Sequence, residues 1–254
     1  MISIEKSLSW IVSEKKSEDT ALRLQVYLAR AGIGSRRKCE TYIEEGRVRV
    51  NGVRVSRQGV KVGPEDMISF DGKAVFMENR HVYLALNKPA GYICSAKDRG
   101  GRPLIYDLVP NSFPVRLHSI GRLDYMSSGL IFLTNDGNFT MHISHPSREI
   151  EKEYIVQSRE IIPEDFLQEF CSGFYLEGET YRCRRYTILE DRKVRLVLVE
   201  GKNREIRKVF SAKRIKIKKI HRIRIGMVGI EGIKSGEYRN LRRQEVQWFL
   251  KQGN

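Results

Sequence analysis

Ser119-Ile120-Gly121-Arg122-Leu123-Asp124-Tyr125-Met126-Ser127-Ser128-Gly129 runs directly into Leu130-Ile131-Phe132-Leu133 and then into Asn135-Asp136-Gly137. One acid stands in a polar loop bounded by glycines, two residues after an arginine. The unbroken apolar run predicts a buried strand, and Asn-Asp-Gly after it predicts a turn. A scaffold strand thus carries a loop able to hold one carboxylate in place, which is how catalytic groups are commonly presented. Taken alone, the same aspartate suits a turn cap equally well, so the flanking segments have to decide.

Before this stretch, residues 82–86 (Val-Tyr-Leu-Ala-Leu) predict a strand that Asn87-Lys88-Pro89-Ala90-Gly91 breaks and Tyr92-Ile93-Cys94-Ser95 resumes, and residues 96–103 read as a surface loop. After it come a short helix over 138–144 ending at His145-Pro146, a strand over 149–158, a helix over 164–171, and strands near 180–188 and 194–199. A helix over 205–212 with Ile206, Val209 and Phe210 inward, a strand over 219–227 and a closing helix carrying Val246, Phe249 and Leu250 complete the series. Strands and short helices with no βαβ rhythm predict an α+β domain, residues 82–254, on a largely antiparallel mixed sheet.

The front of the chain reads differently. Residues 1–20 lack periodicity and predict a flexible leader. Over 21–72, Leu22, Leu24, Val26, Tyr27, Leu28 and Ala31 give one amphipathic helix stopped by Gly32, and Ser35 is a good cap for a second helix reaching Glu45. Val48, Val50, Val53 and Val55 alternate around Asn51-Gly52, a hairpin signal, and another strand reaches Asp71-Gly72. This small helix-helix-hairpin domain carries Arg36, Arg37, Lys38, Arg47 and Arg49 at polar positions, and residues 73–81 read as a linker.

Lys and Arg number 46 against 31 Asp and Glu, a formal net charge of +15, which predicts a polyanionic partner, nucleic acid first. Eleven of the cations fall in residues 200–225, where only two acids stand, predicting an RNA-facing wall. No apolar run approaches the roughly 18 residues of a membrane span, and the N-terminus is not a signal peptide. Cys39, Cys94, Cys171 and Cys183 have neither disulfide nor zinc spacing and read as isolated thiols of a cytoplasmic protein. His142 and His145 lack the companions of a metal site, and no metal is expected.

Gly121-Arg122-Leu123-Asp124, His145-Pro146 with Lys152-Glu153-Tyr154, Glu200-Gly201-Lys202-Asn203-Arg204-Glu205-Ile206-Arg207, and Asn87 to Ser95 together resemble the bacterial ribosomal-RNA pseudouridine synthases. Ala29-Arg30-Ala31-Gly32-Ile33-Gly34-Ser35-Arg36-Arg37 and Gly46-Arg47-Val48-Arg49-Val50-Asn51-Gly52 resemble the S-four-type (alpha-L) RNA-binding domain that precedes such enzymes. The likeness spans residues 22 to about 250. Ser127 departs from a frequent threonine but keeps the hydroxyl.

The resemblance implies isomerisation of a specific uridine in ribosomal RNA, with no cofactor. Asp124 is the expected catalytic carboxylate, paired with Arg207, and Tyr154 is expected to pack on the flipped uracil. Arg122, Lys152 and Lys88 are expected substrate contacts, and Arg36, Arg37, Lys38, Arg47 and Arg49 are expected to dock RNA. Asn203 to Arg207 and Gly101-Arg102-Pro103 resemble the large-subunit enzymes more than the small-subunit one. The expected partner is ribosomal RNA or a ribosome assembly intermediate, and the chain is expected to be a monomer. The rival reading is a non-catalytic, ribosome-associated RNA-binding factor, for which an acid facing a polyanion would be a disadvantage.

Overall fold

The computed structural model describes residues 21–77, 80–110, 113 and 115–251. The expected leader lies outside the described residues. The chain divides into two units, one running to Val82 and taking in Ser112–Leu117, the other comprising Tyr83–Asn111 and His118–Asn254.

The first unit contains β1 (Leu22–Arg23), α1 (Leu24–Arg30), α2 (Arg36–Glu44), β2 (Val48–Val50), β3 (Val53–Val55), β4 (Lys61–Val62), β5 (Ile68–Phe70) and β6 (Lys73–Ala74). Ser35 caps α2 by accepting from the Lys38 amide, as its position before an amphipathic run requires. Asn51 and Gly52 both have positive φ (51° and 79°), the geometry of a two-residue hairpin whose twist matches its strands. Leu24, Leu28, Cys39, Ile43, Val48 and Ile68 form the core. Two boundaries differ from the sequence reading. Leu22 pairs with Val62 in β1–β4 instead of starting the helix. Lys73–Ala74, expected in the linker, pair with β5, because Asp71-Gly72 is a second tight turn that folds the chain back. Val75 then buries in the same core, its carbonyl accepting from the Tyr27 hydroxyl at 3.1 Å.

The second unit holds β7 (Tyr83–Lys88), β8 (His118–Ile120), β9 (Ser128–Thr134), α3 (Gly137–Ser144), β10 (Lys152–Ser158), α4 (Glu164–Ser172), β11 (Phe174–Leu176), β12 (Glu179–Tyr181), β13 (Arg185–Glu190), β14 (Lys193–Leu198), α5 (Glu205–Ala212), β15 (Ile217–Ile225), β16 (Val228–Gly229), β17 (Tyr238–Asn240) and α6 (Arg243–Lys251). The main sheet runs β13-β14-β10-β15-β9-β7-β17. Its pairings are antiparallel except β15 with β9. β9 is central and buried on both faces, which explains its unbroken apolar run. Phe132, Phe139 and Phe249 pack edge-to-face under α3 and α6. Residues 92–95 form no strand, only a bridge from Ile93 to Leu104. Asp136 caps α3 through the Asn138 and Phe139 amides, so the expected turn is also a helix start. Leu250 stays partly exposed, off the buried Val246–Phe249 stripe. Cys171 and Cys183, read as isolated, bring their sulfurs to 2.6 Å, because α4 and the chain entering β13 pack side by side.

The sheet has a seam at β9. One edge is fully paired with β7. The opposite edge is shared: β15 pairs with Ser128 and Gly129, β8 with Phe132 to Thr134. The loop joining β8 to β9, residues 121–127, leaves the sheet where the two partners part.

Candidate active site

That loop carries Asp124. Its amide-to-carbonyl closure, Ser127 N to Asp124 O at 3.0 Å, makes Asp124–Ser127 a turn, with Leu123 and Ser127 buried on either side. Lys88, at the end of β7, lies directly beneath. It is wholly sealed from solvent, and its ammonium donates to the carbonyls of Ser127 (2.7 Å), Pro89 (2.8 Å) and Tyr125 (3.4 Å). The Gly91 amide also donates to the Tyr125 carbonyl at 2.8 Å. The buried Lys88 ammonium, occupied by three carbonyls, is therefore not open to substrate, contrary to its expectation as a substrate contact. It fastens the turn, and burial pushes its pKa down to about 8.

Arg207 projects from the first turn of α5. Its Nε donates to Asp124 Oδ2 at 3.2 Å and its Nη2 to Ser127 Oγ at 3.0 Å. One guanidinium thus binds both ends of the turn, and the Ser127 hydroxyl has a defined partner.

Tyr154 faces the same space from β10, where a bulge in the β10–β15 pairing between Glu153 and Tyr154 re-aims the strand. Its hydroxyl accepts from Arg222 Nη1 at 3.3 Å. Arg222 is 4% exposed, and its Nε donates at 2.6 Å to the Leu130 carbonyl, which lies in the seam. The Arg222 role was not legible in sequence, since it depends on the register of β15 against β9.

Asp124, Arg122, Tyr154, Lys152, Arg207, Glu205 and Arg222 line one cavity of about 590 Å³, within the range of small-ligand sites. Arg122 is exposed at its rim. Lys152 donates to the Val199 carbonyl at 3.0 Å, and burial lowers its pKa to about 8. Glu205, buried at the start of α5, has its carboxyl raised by burial to about 7. His142 and His145 bond locally, to the Asn138 carbonyl and the Ser147 hydroxyl.

In the first unit Arg36, Arg37 and Lys38 form an exposed basic stretch at the start of α2, and Arg49 is exposed while bonding the Gly52 carbonyl. Arg47 differs. Asp71 and Glu45 close on its guanidinium, which also lies over the Tyr42 and Phe70 rings, so much of its charge is spent internally. The basic run 200–225 divides likewise: Arg207 faces Asp124, Arg224 holds Glu151 and Glu153, Lys213 holds Glu169 and Arg222 is buried. Only part of it forms an open cationic surface.

Asp124, held by Arg207, thus lines a cavity that Tyr154 also lines, in a chain of formal net charge +15. The chain belongs to the RNA pseudouridylate synthase family, whose model matches residues 82–212, and an S4 domain matches residues 22–68. It is 46% identical over 221 residues to an uncharacterized RNA pseudouridine synthase of Borreliella burgdorferi, covering 85% of this chain and 88% of that one. It is 39% identical over 231 residues to ribosomal large subunit pseudouridine synthase B of Bacillus subtilis, covering 89% and 94% respectively. A solved pseudouridylate synthase superposes with a TM-score of 0.67 at 32% identity, covering 90% of this chain and 99% of that one. The protein is an RNA pseudouridine synthase.

Proposed function

We propose that this synthase converts one specific uridine of large-subunit ribosomal RNA to pseudouridine, with Asp124 as the working carboxylate. The observation that carries the assignment is the Asp124–Arg207 pair at 3.2 Å, set in a cavity walled by Tyr154. The reaction breaks the bond between uracil N1 and the ribose, turns the base and rejoins it through C5. Three routes use the carboxylate: attack on C1′, proton removal to give a glycal, or addition at C6. In each, Asp124 acts deprotonated, and Arg207 holds it in place through the 3.2 Å contact.

A base inside a helix is out of reach of such a site, so the uridine is flipped into the cavity, where the Tyr154 ring replaces its lost stacking. Arg122 at the rim and Lys152 on the wall contact the ribose-phosphate of the flipped nucleotide. Arg36, Arg37, Lys38 and Arg49 dock RNA through its backbone. Arg47 joins them only with the charge its two acids leave. The ribosomal substrate is supported by the name of the Bacillus subtilis relative. A monomer in the cytoplasm, acting on ribosomal RNA or an assembly intermediate, fits a site built within one chain. Among the described residues no helix is long and apolar enough to cross a membrane.

The test is chemical mapping of pseudouridine across both ribosomal RNAs in cells with and without the protein, with rescue by the native chain or by Asp124→Asn. Loss of one large-subunit site, restored only by the native chain, is the expected result. Restoration by Asp124→Asn would remove Asp124 from its role, and loss of a small-subunit site would reassign the substrate.

A further inference from the structure

Asp124 is followed at the corners of its turn by two apolar side chains that point outward. Tyr125 is 40% exposed and Met126 61%, while Leu123 and Ser127 on either side are buried. The corner is rigidly backed. The buried Lys88 ammonium and the Gly91 amide both bond the Tyr125 carbonyl, and Lys88 also bonds that of Ser127. The Arg102 guanidinium lies over the Tyr125 ring, 5.7 Å from its centre, so one face of the ring is already held. Arg102 is itself clamped by Asp98, whose carboxylate accepts two guanidinium bonds at 2.7 and 3.1 Å and the Arg102 amide at 3.0 Å.

Neither Tyr125 nor Met126 belongs to the buried core, so the turn holds two largely apolar side chains against solvent beside Asp124. Such a corner serves a ligand with apolar faces, and RNA that has given up one base has two such faces newly uncovered. Met126 lies two residues from Asp124, so their Cα atoms are within about 7.6 Å, roughly two steps of a base stack. Methionine inserts between bases as an apolar wedge, and tyrosine stacks on them without regard to sequence.

We propose that the Tyr125–Met126 corner is the platform on which the RNA base next to the target uridine stacks once that uridine has entered the cavity. The proposal rests on the synthase reading above. The platform holds open the gap left by the flipped base and keeps the ribose of the target over Asp124.

The test is a cycle between protein and RNA, using the full chain and a ribosomal RNA fragment, or assembly particle, that contains the mapped uridine and that the native protein modifies. Single-turnover isomerisation is measured for the native protein and for the double variant Tyr125→Ser/Met126→Ser. The RNAs are the intact substrate and two versions with an abasic residue immediately 5′ or 3′ of the target. On intact RNA the double variant loses about tenfold or more. One abasic RNA costs the native protein a similar factor, and on that RNA the variant loses nothing further, since the two changes remove one interaction. Full and independent losses on both abasic RNAs, or no loss from the variant on intact RNA, would overturn the platform. Failure of the mapping experiment to find any site that depends on the native chain would overturn the substrate reading itself.

Discussion

Gly129 sits where β15 joins β9, and replacing it by alanine tests whether the seam positions the site. Its φ is +109°, and a Cβ there would lie 2.2 Å from the Arg222 carbonyl oxygen and 2.5 Å from the Arg222 nitrogen. Both are backbone atoms that no rotamer change can clear, so the strands must part by about 1 Å to reach ordinary contact. Only two residue pairs join these strands, His221 with Ser128 and Arg222 with Gly129, so the movement falls on Arg222. Overpacking of this kind costs about 1–3 kcal/mol, and the strained φ adds about 1 kcal/mol or more. A total near 3 kcal/mol lowers the melting temperature by roughly 6–12 °C for a domain of this size. Shifting Arg222 also loosens Tyr154, and a misplacement of about 1 Å costs on the order of a hundredfold in rate. The assay is thermal unfolding together with single-turnover isomerisation well below the transition. A Gly129→Ala protein melting within about 2 °C of native and turning over at the native rate would refute the reasoning.

Other perturbations follow from the buried charges and the ion pair. Asp124→Asn abolishes isomerisation while RNA affinity, measured by filter binding, stays the same or rises slightly, since one negative charge facing a polyanion is lost. Glu205 holds a proton up to about pH 7 when folded but only to its ordinary 4.5 when unfolded, so its contribution to stability falls as pH rises between those values. Glu205→Gln therefore stabilises the protein at pH 8 by up to about 3 kcal/mol and changes little at pH 4 in urea melts. For Lys88 the sign is opposite: its pKa drops from 10.5 to about 8 on folding, so stability gained from this group rises between pH 8 and 10.5. Lys88→Met removes that slope and relieves a buried charge. It also orphans the turn's carbonyls, at about 1–3 kcal/mol each, so turnover falls at pH 7 even where melts show little net change.

The parts of the site that were legible in sequence are local. Gly121 to Ser127 announces a loop by composition, and Glu205–Ala212 announces its helix by the spacing of Ile206, Val209 and Phe210, so the elements that carry Asp124 and Arg207 are legible, while the choice of those two residues rests on the family resemblance. Their pairing followed from family resemblance, because nothing in the chain shows that residues 83 apart meet. Lys88 was misjudged for a physical reason: a lysine before proline at the end of a strand looks exposed, and only the turn folded over it shows what it holds. Arg222 stands among ten other cations, and nothing in that run marks it as the one that turns inward. The extent of the front domain was underestimated because Asp71-Gly72 reads equally as an exit from the domain and as a hairpin returning to it.

The separations across the second unit also set an order of assembly. The first unit completes its sheets by Ala74, from contacts within its own short stretch. The site needs Arg207 and Arg222, and β7 is completed only by β17, which ends at Asn240. During synthesis the S4 domain therefore folds first. At roughly 5–20 residues per second the remaining strands arrive about 8–30 s later. For that interval the nascent chain has a finished RNA-binding module and an unfinished active site, so it is able to hold RNA before it is able to change it.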